Sequence, residues 1–137
     1  MNFSWQEGNR LLLLENGEAF FPRVFGAIQR AERTVLIETF ILFEDEVGNA
    51  LHRELLAAAQ RGVRVEIMVD GYGSAELSDN FVNSLTSAGV RFIYYDPRPL
   101  VMGMRTNVFR RLHRKTVVVD DVVAFVGGIN FSAEHNT

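Results

Sequence analysis

Short apolar stretches alternate with longer amphipathic ones along this sequence, and that alternation restricts the fold more than any other feature. The stretches TVLIETFILF and VRVEIMV are rich in β-branched and aromatic residues, as buried strands are. The segments between and after them have the apolar spacing of helices. This order predicts an α/β domain with a largely parallel or mixed sheet, flanked by helices on both faces and ending in a β-hairpin.

The boundaries of the elements follow from start and stop signals. The predicted strands cover residues 10–14, 34–43, 63–69 and 90–95, followed by the hairpin strands 113–119 and 122–126. The predicted helices cover residues 18–31, 49–61 and 78–88. Ser78 is the expected N-cap of the last helix, and Gly62 and Gly89 are expected helix ends. A length of 137 residues suits one domain with one core, so 1–137 is predicted to be a single unit with Trp5 as a core anchor.

Positive charge is concentrated in one short segment of an acidic chain. The formal net charge is −3, but residues 105–115 contain five cations and no acid, which leaves −8 on the rest. A general nucleic-acid-binding protein spreads lysine and arginine over a broad face instead. The layout favours one anionic site, so the cations of this segment are candidates for phosphate binding. They are Arg105, Arg110, Arg111, Arg114 and Lys115, the single lysine of the chain.

Several sequence features bear on location and cofactors. The apolar residues beside the basic segment, Leu100, Val101, Met102 and Met104, either enter a membrane interface or pack against another domain. The N-terminus lacks the basic start and long apolar run of a signal peptide, so we expect contact with a membrane only at its surface. The chain has no cysteine, and its three histidines lack metal-ligand spacing, so no metal is expected.

The predicted hairpin places two basic side chains together. His113 and Lys115 are two residues apart and therefore project from the same face of a strand. If a two-residue turn follows Val119, Lys115 faces Val126 and His113 faces Gly128. The glycine would leave open space beside the imidazole.

Asn130 is expected to return to the same end of the hairpin, beside Gly127 and Gly128. An imidazole, an ammonium group and a carboxamide around a gap suit a phosphodiester. Imidazole can attack phosphorus or protonate a leaving alkoxide, and the other two groups can hold the non-bridging oxygens. The alternative is a plain amphipathic hairpin with an exposed histidine and lysine.

Two carboxylates are candidates for a role near His113. Asp120 lies seven residues along the chain, roughly 20 Å along a straight strand at about 3.3 Å per residue. We therefore expect Asp120 to belong to the turn rather than to orient the imidazole. Glu38, on a predicted central strand, is the better candidate for an orienting carboxylate.

The pattern HxKx4Dx6GGxN, which begins at His113, resembles the HKD motif of the phospholipase D superfamily. The strings ETFILFEDEVGNAL, LLAAAQRGVRVEIMVDGYGS, YYDPRP and NVFRRLHRK look like the first catalytic half of bacterial cardiolipin synthases, especially the type without N-terminal transmembrane helices. On this resemblance the catalytic residues are His113, Lys115 and Asp120, with Gly127, Gly128 and Asn130 completing the motif.

The resemblance implies a phosphatidyl transferase whose site is formed by two HKD motifs, one from each half of a longer chain. One histidine attacks the phosphatidyl phosphorus to give a phosphohistidine, and the other protonates the leaving glycerol. A second phosphatidylglycerol hydroxyl then takes the phosphatidyl group, which yields cardiolipin. The resemblance also implies that no cofactor is needed, and that the enzyme sits peripherally on the cytoplasmic side of the bacterial inner membrane.

This chain contains one HKD motif, so the resemblance implies a second half. We expect that half in residues after Thr137, because no closing element follows Ala133; the alternative is pairing of two copies. Two other functions stay open at this point. One is a homodimeric, metal-independent nuclease, and the other is a half-domain that binds anionic lipid without turnover.

Overall fold

Helices and strands alternate in the computed structural model, which describes residues 3–96, 100–101, 104–105 and 111–135. The helices in these residues are α1 (Asn16–Gln29), α2 (Glu46–Gln60) and α3 (Asp79–Ser87). The strands are β1 (Thr34–Thr39), β2 (Arg64–Asp70), β3 (Arg91–Tyr95), β4 (Leu100–Val101), β5 (Met104–Arg105), β6 (Thr116–Val119) and β7 (Val123–Val126). A short 3₁₀ helix covers Ala133–His135.

Five of the strands form a mixed sheet in the order β3-β2-β1-β6-β7. Strands β1, β2 and β3 are parallel, while β6 runs antiparallel to β1 and forms a hairpin with β7. Strands β4 and β5 form a separate two-stranded sheet. The predicted mixed sheet, with flanking helices and a final hairpin, is confirmed.

The three helices pack side by side in one layer, with α2 between α1 and α3. The path β1-α2-β2-α3-β3 crosses the sheet in one direction, and right-handed crossovers then place both connecting helices on the same face. Val35 and Ile37 point to that face and are buried, whereas Leu36 and Glu38 on the other face are half-buried. The prediction placed helices on both faces; within the described residues the second face carries none.

The helix ends follow the signals in the sequence. The hydroxyl of Ser78 caps α3 by accepting a hydrogen bond from the backbone N–H of Phe81 at 3.2 Å. Gly62 and Gly89 follow α2 and α3 with φ of +90° and +98°, a conformation in which a side chain would be strained. Among the described helices, none has the length and apolar character needed to cross a membrane.

The N-terminal residues 3–15 form neither helix nor strand. The predicted strand 10–14 is therefore wrong, and Leu11 and Leu13 are 95% and 86% exposed. Trp5 is fully exposed, so the predicted core anchor is wrong as well. The apolar residues of this segment predicted both the strand and the core anchor. A strand needs a hydrogen-bonded neighbour, however, and this segment has no strand partner among the described residues.

Strand β1 ends at Thr39, although its apolar run predicted a strand to residue 43. Beyond Thr39 the backbone pairs with side chains and with the backbone of Phe131 rather than with one of the sheet strands. The Ile41 carbonyl accepts from the Phe131 N–H at 3.0 Å, and the Phe43 N–H donates to the Phe131 carbonyl at 3.1 Å. The carbonyl of Phe40 accepts from the Ser74 hydroxyl at 2.8 Å, and the N–H of Ile41 donates to Oδ1 of Asn130 at 3.0 Å. The chain therefore leaves the sheet at the end where the hairpin begins.

Asp120 fixes the register of the hairpin on β1. Its carboxylate accepts hydrogen bonds from the backbone N–H groups of Glu32, Arg33 and Thr34 at 2.9, 2.7 and 2.9 Å. Its own N–H donates to the carbonyl of Thr34 at 2.9 Å. These bonds tie the hairpin turn to the turn that leads from α1 into β1, so Val119 pairs with Val35.

The hairpin register differs by one residue from the predicted one. Residues 120–122 form a three-residue turn, and Thr116, rather than Lys115, faces Val126. The reason is that Asp120 and Asp121 both adopt positive φ, +55° and +58°, which aspartate tolerates better than most residues. The turn therefore takes up one more residue than the two predicted.

Replacing Asp120 by asparagine should destabilise the fold in a pH-dependent way. The N–H groups of Thr34, Glu32 and Arg33 hold the pKa of the Asp120 carboxyl below its usual value. A carboxyl whose pKa is lower in the folded state than in the unfolded state stabilises the fold at pH values above its unfolded-state pKa. That stabilisation is lost as the pH falls through the folded-state pKa. The melting temperature of Asp120→Asn should thus lie below that of the parent at pH 7, with the gap closing toward pH 2.

Asp121→Asn is the matched control, since it changes an exposed aspartate in the same turn and asparagine also tolerates positive φ. Melting curves from pH 7 to pH 2 provide the measurement. A gap for Asp120→Asn that stays constant across this range would contradict the role assigned to the carboxylate.

Candidate active site

Three segments meet where β1 and β2 end. Since β6 is antiparallel to β1, with Thr116 opposite Glu38, the residues before β6 lie beside those that follow β1. His113 and Lys115 are in the first group and Phe40 is in the second. The loop after β2 reaches the same edge. Parallel strands commonly present ligand-binding residues at their carboxyl ends.

The imidazole of His113 stacks on the ring of Phe40. The ring centroids are 4.3 Å apart and the planes are inclined by 16°. His113 is exposed, and its ring nitrogens make no hydrogen bond within the described residues. One face of the imidazole is thus covered while its nitrogens stay accessible to a substrate.

Lys115 lies against the same aromatic ring. Its Nζ is 5.7 Å from the Phe40 centroid, within the range of a cation–π interaction, and donates to the carbonyl of His113 at 2.8 Å. The structure therefore brings His113 and Lys115 together, although His113 lies before β6 rather than in the strand predicted for 113–119. The His113 imidazole and the Lys115 ammonium group thus both lie against the ring of Phe40.

Open space adjoins Lys115 on the hairpin side. The backbone N–H of Gly127 donates a hydrogen bond to the backbone carbonyl of Lys115 at 3.3 Å. A Cβ on Gly127 or Gly128 would meet no atom within 4 Å. Asn130 is buried and uses Oδ1 to accept from Ile41, which leaves its Nδ2 group to donate to a substrate.

Asp70, at the end of β2, holds the segment that leads to His113. The buried carboxylate accepts from the backbone N–H of Leu112 at 2.8 Å and from the guanidinium of Arg111 at 3.1 Å. It also accepts from the N–H groups of Tyr72 and Gly73, each at 2.9 Å. One carboxylate thus fixes both its own turn and the residue before the histidine.

Arg111 is a structural residue in this arrangement, in contrast to its predicted role in phosphate binding. Its side chain is 7% exposed and pairs with Asp70 and Asp96, each at 3.1 Å. The guanidinium also lies 5.6 Å from the ring centroid of Tyr72. The sequence could not indicate this, because both acidic partners are distant along the chain.

Glu38 does not orient His113, contrary to prediction. Its carboxylate pairs with Arg114 at 3.3 Å, and it has no hydrogen bond or ion pair with His113 among the described residues. The two side chains of the pair are 32% and 70% exposed, so Arg114 keeps most of its surface free. The prediction for Glu38 rests on its strand position alone. That position does not show whether the carboxylate pairs with His113 or with the adjacent Arg114.

Asp120 lies at the opposite end of β6 from His113, in the turn, where the length of the strand placed it. Other predicted residues lie wholly or partly outside the described residues. Arg110 and Met102 lie outside the described residues, and so do the side chains of Leu100, Val101, Met104 and Arg105. Their proposed contacts with phosphate or membrane stay predictions.

Sequence reasoning missed Phe40 and Asp70. Phe40 lies in an apolar run that predicted a longer strand. Asp70 begins a DGYGS turn, which lies at the usual ligand-facing edge of an α/β sheet but is also typical of a plain strand-to-helix connection. A usable signal was present in that turn, because an aspartate at the carboxyl end of a buried parallel strand faces the ligand edge.

Truncating Asp70 should be costly, because it leaves the buried Arg111 guanidinium without a main partner. We expect Asp70→Ala to lower the free energy of unfolding by about 3–5 kcal/mol, measured by urea denaturation. Arg111→Met in the same chain should recover part of this loss, because it removes a buried charge that has lost one of its two acidic partners.

Glu66→Ala is the matched control for that change, since Glu66 is also on β2 but pairs with Arg91 at the surface. Its cost should stay within about 1 kcal/mol. An equally small cost for Asp70→Ala would show that the carboxylate does not hold this segment.

Comparison with known proteins places this chain in a family. The family model described as cardiolipin synthase, PLD-like domain, matches residues 24–136. The chain is 64% identical over 135 residues to cardiolipin synthase B of Salmonella typhi, covering 98% of this chain and 33% of that protein. This chain therefore spans about a third of the length of that relative.

Solved structures agree on the fold. NucT from Helicobacter pylori superposes with a TM-score of 0.63 at 17% identity, covering 83% of this chain and 68% of that one. Nuc from Salmonella typhimurium, described as a phospholipase D family member, gives 0.56 at 22% identity, covering 84% and 66%. At such identities the likeness supports the fold alone, whereas the family match covers most of the sequence. The chain belongs to the family of phospholipase D-like domains of cardiolipin synthases.

Proposed function

We propose that this protein transfers a phosphatidyl group from one phosphatidylglycerol to another, giving cardiolipin and glycerol, and that this chain supplies one of two half-sites. The observation that carries the proposal is the accessible imidazole of His113 beside Lys115, a lysine that itself adjoins the open space at Gly127 and Gly128. The similarity to cardiolipin synthase B supports the choice of substrate.

The reaction takes two displacements at phosphorus. In the first, one histidine attacks, a P–N bond forms, and the P–O bond to glycerol breaks as the second histidine protonates the leaving oxygen. In the second, the hydroxyl of another phosphatidylglycerol attacks the phosphohistidine and gives its proton to the second histidine. His113 takes one of these two roles.

Charge that builds on the non-bridging oxygens needs donors at fixed positions. Lys115 offers three N–H groups, one of which reaches the His113 carbonyl in the free chain. Asn130 Nδ2 is the other candidate donor, and the glycines let a phosphate approach the backbone. Asp120 acts through the register of β6 and not by contact with the lipid.

The second histidine of the complete active site must come from outside this half-site. We propose that it is supplied by further residues of a longer chain, which is supported by the length of the relative. A second copy of this chain is the alternative source, and it would suit a homodimeric phosphodiesterase acting on nucleic acid. The charge of −8 outside residues 105–115 disfavours a long nucleic-acid track.

Replacing His113 by alanine should remove the activity. We expect the purified protein, produced at the full length of its reading frame, to convert phosphatidylglycerol in mixed micelles into cardiolipin and glycerol. His113→Ala should reduce the rate by at least about 10²–10⁴, the contribution of a positioned acid–base or nucleophilic group. Both products are quantified.

His52→Ala is the control, because His52 lies on α2 and bonds to Ser84 and to the carbonyl of Phe81. It should retain the parent rate. Cardiolipin formation by His113→Ala at the parent rate would rule out the assigned role. Cleavage of single-stranded DNA, with no reaction on lipid, would favour the phosphodiesterase instead.

We further propose that the protein acts at the cytoplasmic face of the inner membrane, bound peripherally to anionic lipid. The basic segment 105–115 and its apolar neighbours support this from the sequence.

Replacing Leu100 and Met102 by serine should weaken binding to vesicles rich in phosphatidylglycerol, because apolar burial in the interface is lost. Co-sedimentation measures the bound fraction, with phosphatidylcholine vesicles as the uncharged reference. Unchanged binding would remove these residues from the interface.

A further inference from the structure

We infer that Phe40 is the positioning residue of this half-site, a platform that sets the plane of the His113 imidazole and keeps the Lys115 ammonium beside it. The inference rests on the proposed function for those two residues. It assigns a role to a residue outside the HKD motif.

The contact with His113 is close and nearly parallel, with centroids 4.3 Å apart and planes 16° from each other. His113 precedes β6, so no strand pairing holds its backbone rigid. Contact with a flat ring restricts rotation of the imidazole about both side-chain bonds. The stack therefore supplies order that the local secondary structure does not.

Lys115 approaches the same ring at 5.7 Å. The lysine is half-buried, and its ammonium also donates to the His113 carbonyl. An ammonium is attracted to the face of an aromatic ring, whereas an aliphatic residue of similar size would offer no such attraction. One ring thus contacts both functional side chains of the motif.

Phe40 is held in place by the loop after β2. The buried hydroxyl of Ser74 donates to the Phe40 carbonyl at 2.8 Å and accepts from the N–H of Leu42 at 2.9 Å. Gly73 lies still closer, since a Cβ there would be 2.6 Å from the Phe40 carbonyl oxygen and 2.9 Å from a ring carbon. Gly73 is therefore required for the ring to keep its place.

Phe40 is not part of the hydrophobic core. It is absent from the buried cluster and from the half-buried residues packed on that cluster in the described part of the chain. Phe25, by contrast, packs on the core from α1 and stacks on Phe21. The position of Phe40 suits a role in arranging the site more than a role in stability.

A positioned nucleophile or acid must be aimed before the substrate arrives, and small displacements can cost about 10²-fold in rate. If the platform works in this way, its loss should lower kcat while the KM for lipid changes little, because the ring does not bind the lipid. Phe40→Tyr keeps the ring and should keep the rate.

The experiment compares Phe40→Leu, Phe40→Tyr and the core control Phe25→Leu in the full-length protein. Proton NMR follows the His113 ring resonances, assigned by their absence in His113→Ala. In the parent these resonances should be shifted upfield by the ring current of Phe40. Phe40→Leu should abolish that shift and lower kcat about 10–10²-fold, whereas Phe40→Tyr and Phe25→Leu should do neither.

Gly73→Ala tests the same ring without altering it. Its Cβ must displace Phe40, so the His113 resonances and kcat should change in the same direction as for Phe40→Leu. Gly26→Ala on α1 is the matched control, because the nearest atom to its Cβ would belong to the movable guanidinium of Arg30, at 3.2 Å.

Three results distinguish failure of the role inferred for Phe40 from failure of the proposed function. His113 resonances that are unchanged in Phe40→Leu would overturn the inference, even if activity fell, since the loss would then be structural. Resonances that move while kcat stays at the parent value would overturn it too. A parent protein that makes no cardiolipin would refute the proposed function alone, because the ring-current shift does not depend on turnover, and the shift would then decide the platform.

Discussion

The register of β6 on β1 is the constraint on which the rest of the site depends. Side chains alternate along a strand, so a slip of one residue would turn the lysine and the buried valines to the wrong faces. The register is set at the far end of β6, where the Asp120 carboxylate receives three backbone N–H groups. An aspartate roughly 20 Å from the histidine, at about 3.3 Å per residue, can thus belong to the same motif.

Buried polar groups do the corresponding work at the carboxyl ends of β1 and β2. Asp70, Ser74 and Asn130 are all buried, and each joins segments that are far apart in the sequence. Each one satisfies backbone groups that would otherwise be unpaired where the strands stop. The apolar core determines where the sheet and helices lie, and these three residues determine where the loops lie on them.

The sequence predicted those features that depend on local pattern. Alternating apolar runs gave the strands and helices, and the capping residues gave the helix ends, as at Ser78 and Gly62. The pairing of His113 with Lys115 followed from a two-residue spacing. The place of Asp120 in the turn followed from strand length.

Features that depend on contacts between distant residues were missed or wrong. The basic segment predicts that Arg111 binds phosphate, because spacing along the chain does not identify Asp70 and Asp96 as its partners. The hairpin register was off by one because the turn conformation depends on bonds from residues 32–34. The apolar run predicts that Phe40 belongs to a strand, since nothing local shows where β1 leaves the sheet.

The outer edge of β7 has a consequence for how the chain behaves in solution. In the described residues β7 pairs with β6 alone, and its valines, Val123 and Val126, are 42% and 79% exposed. An apolar strand edge with unpaired backbone groups can recruit strands from other molecules and start aggregation. The two aspartates of the adjoining turn place negative charge at one end of that edge, in the manner of gatekeeper residues. Colloidal stability should therefore fall as salt screens those charges.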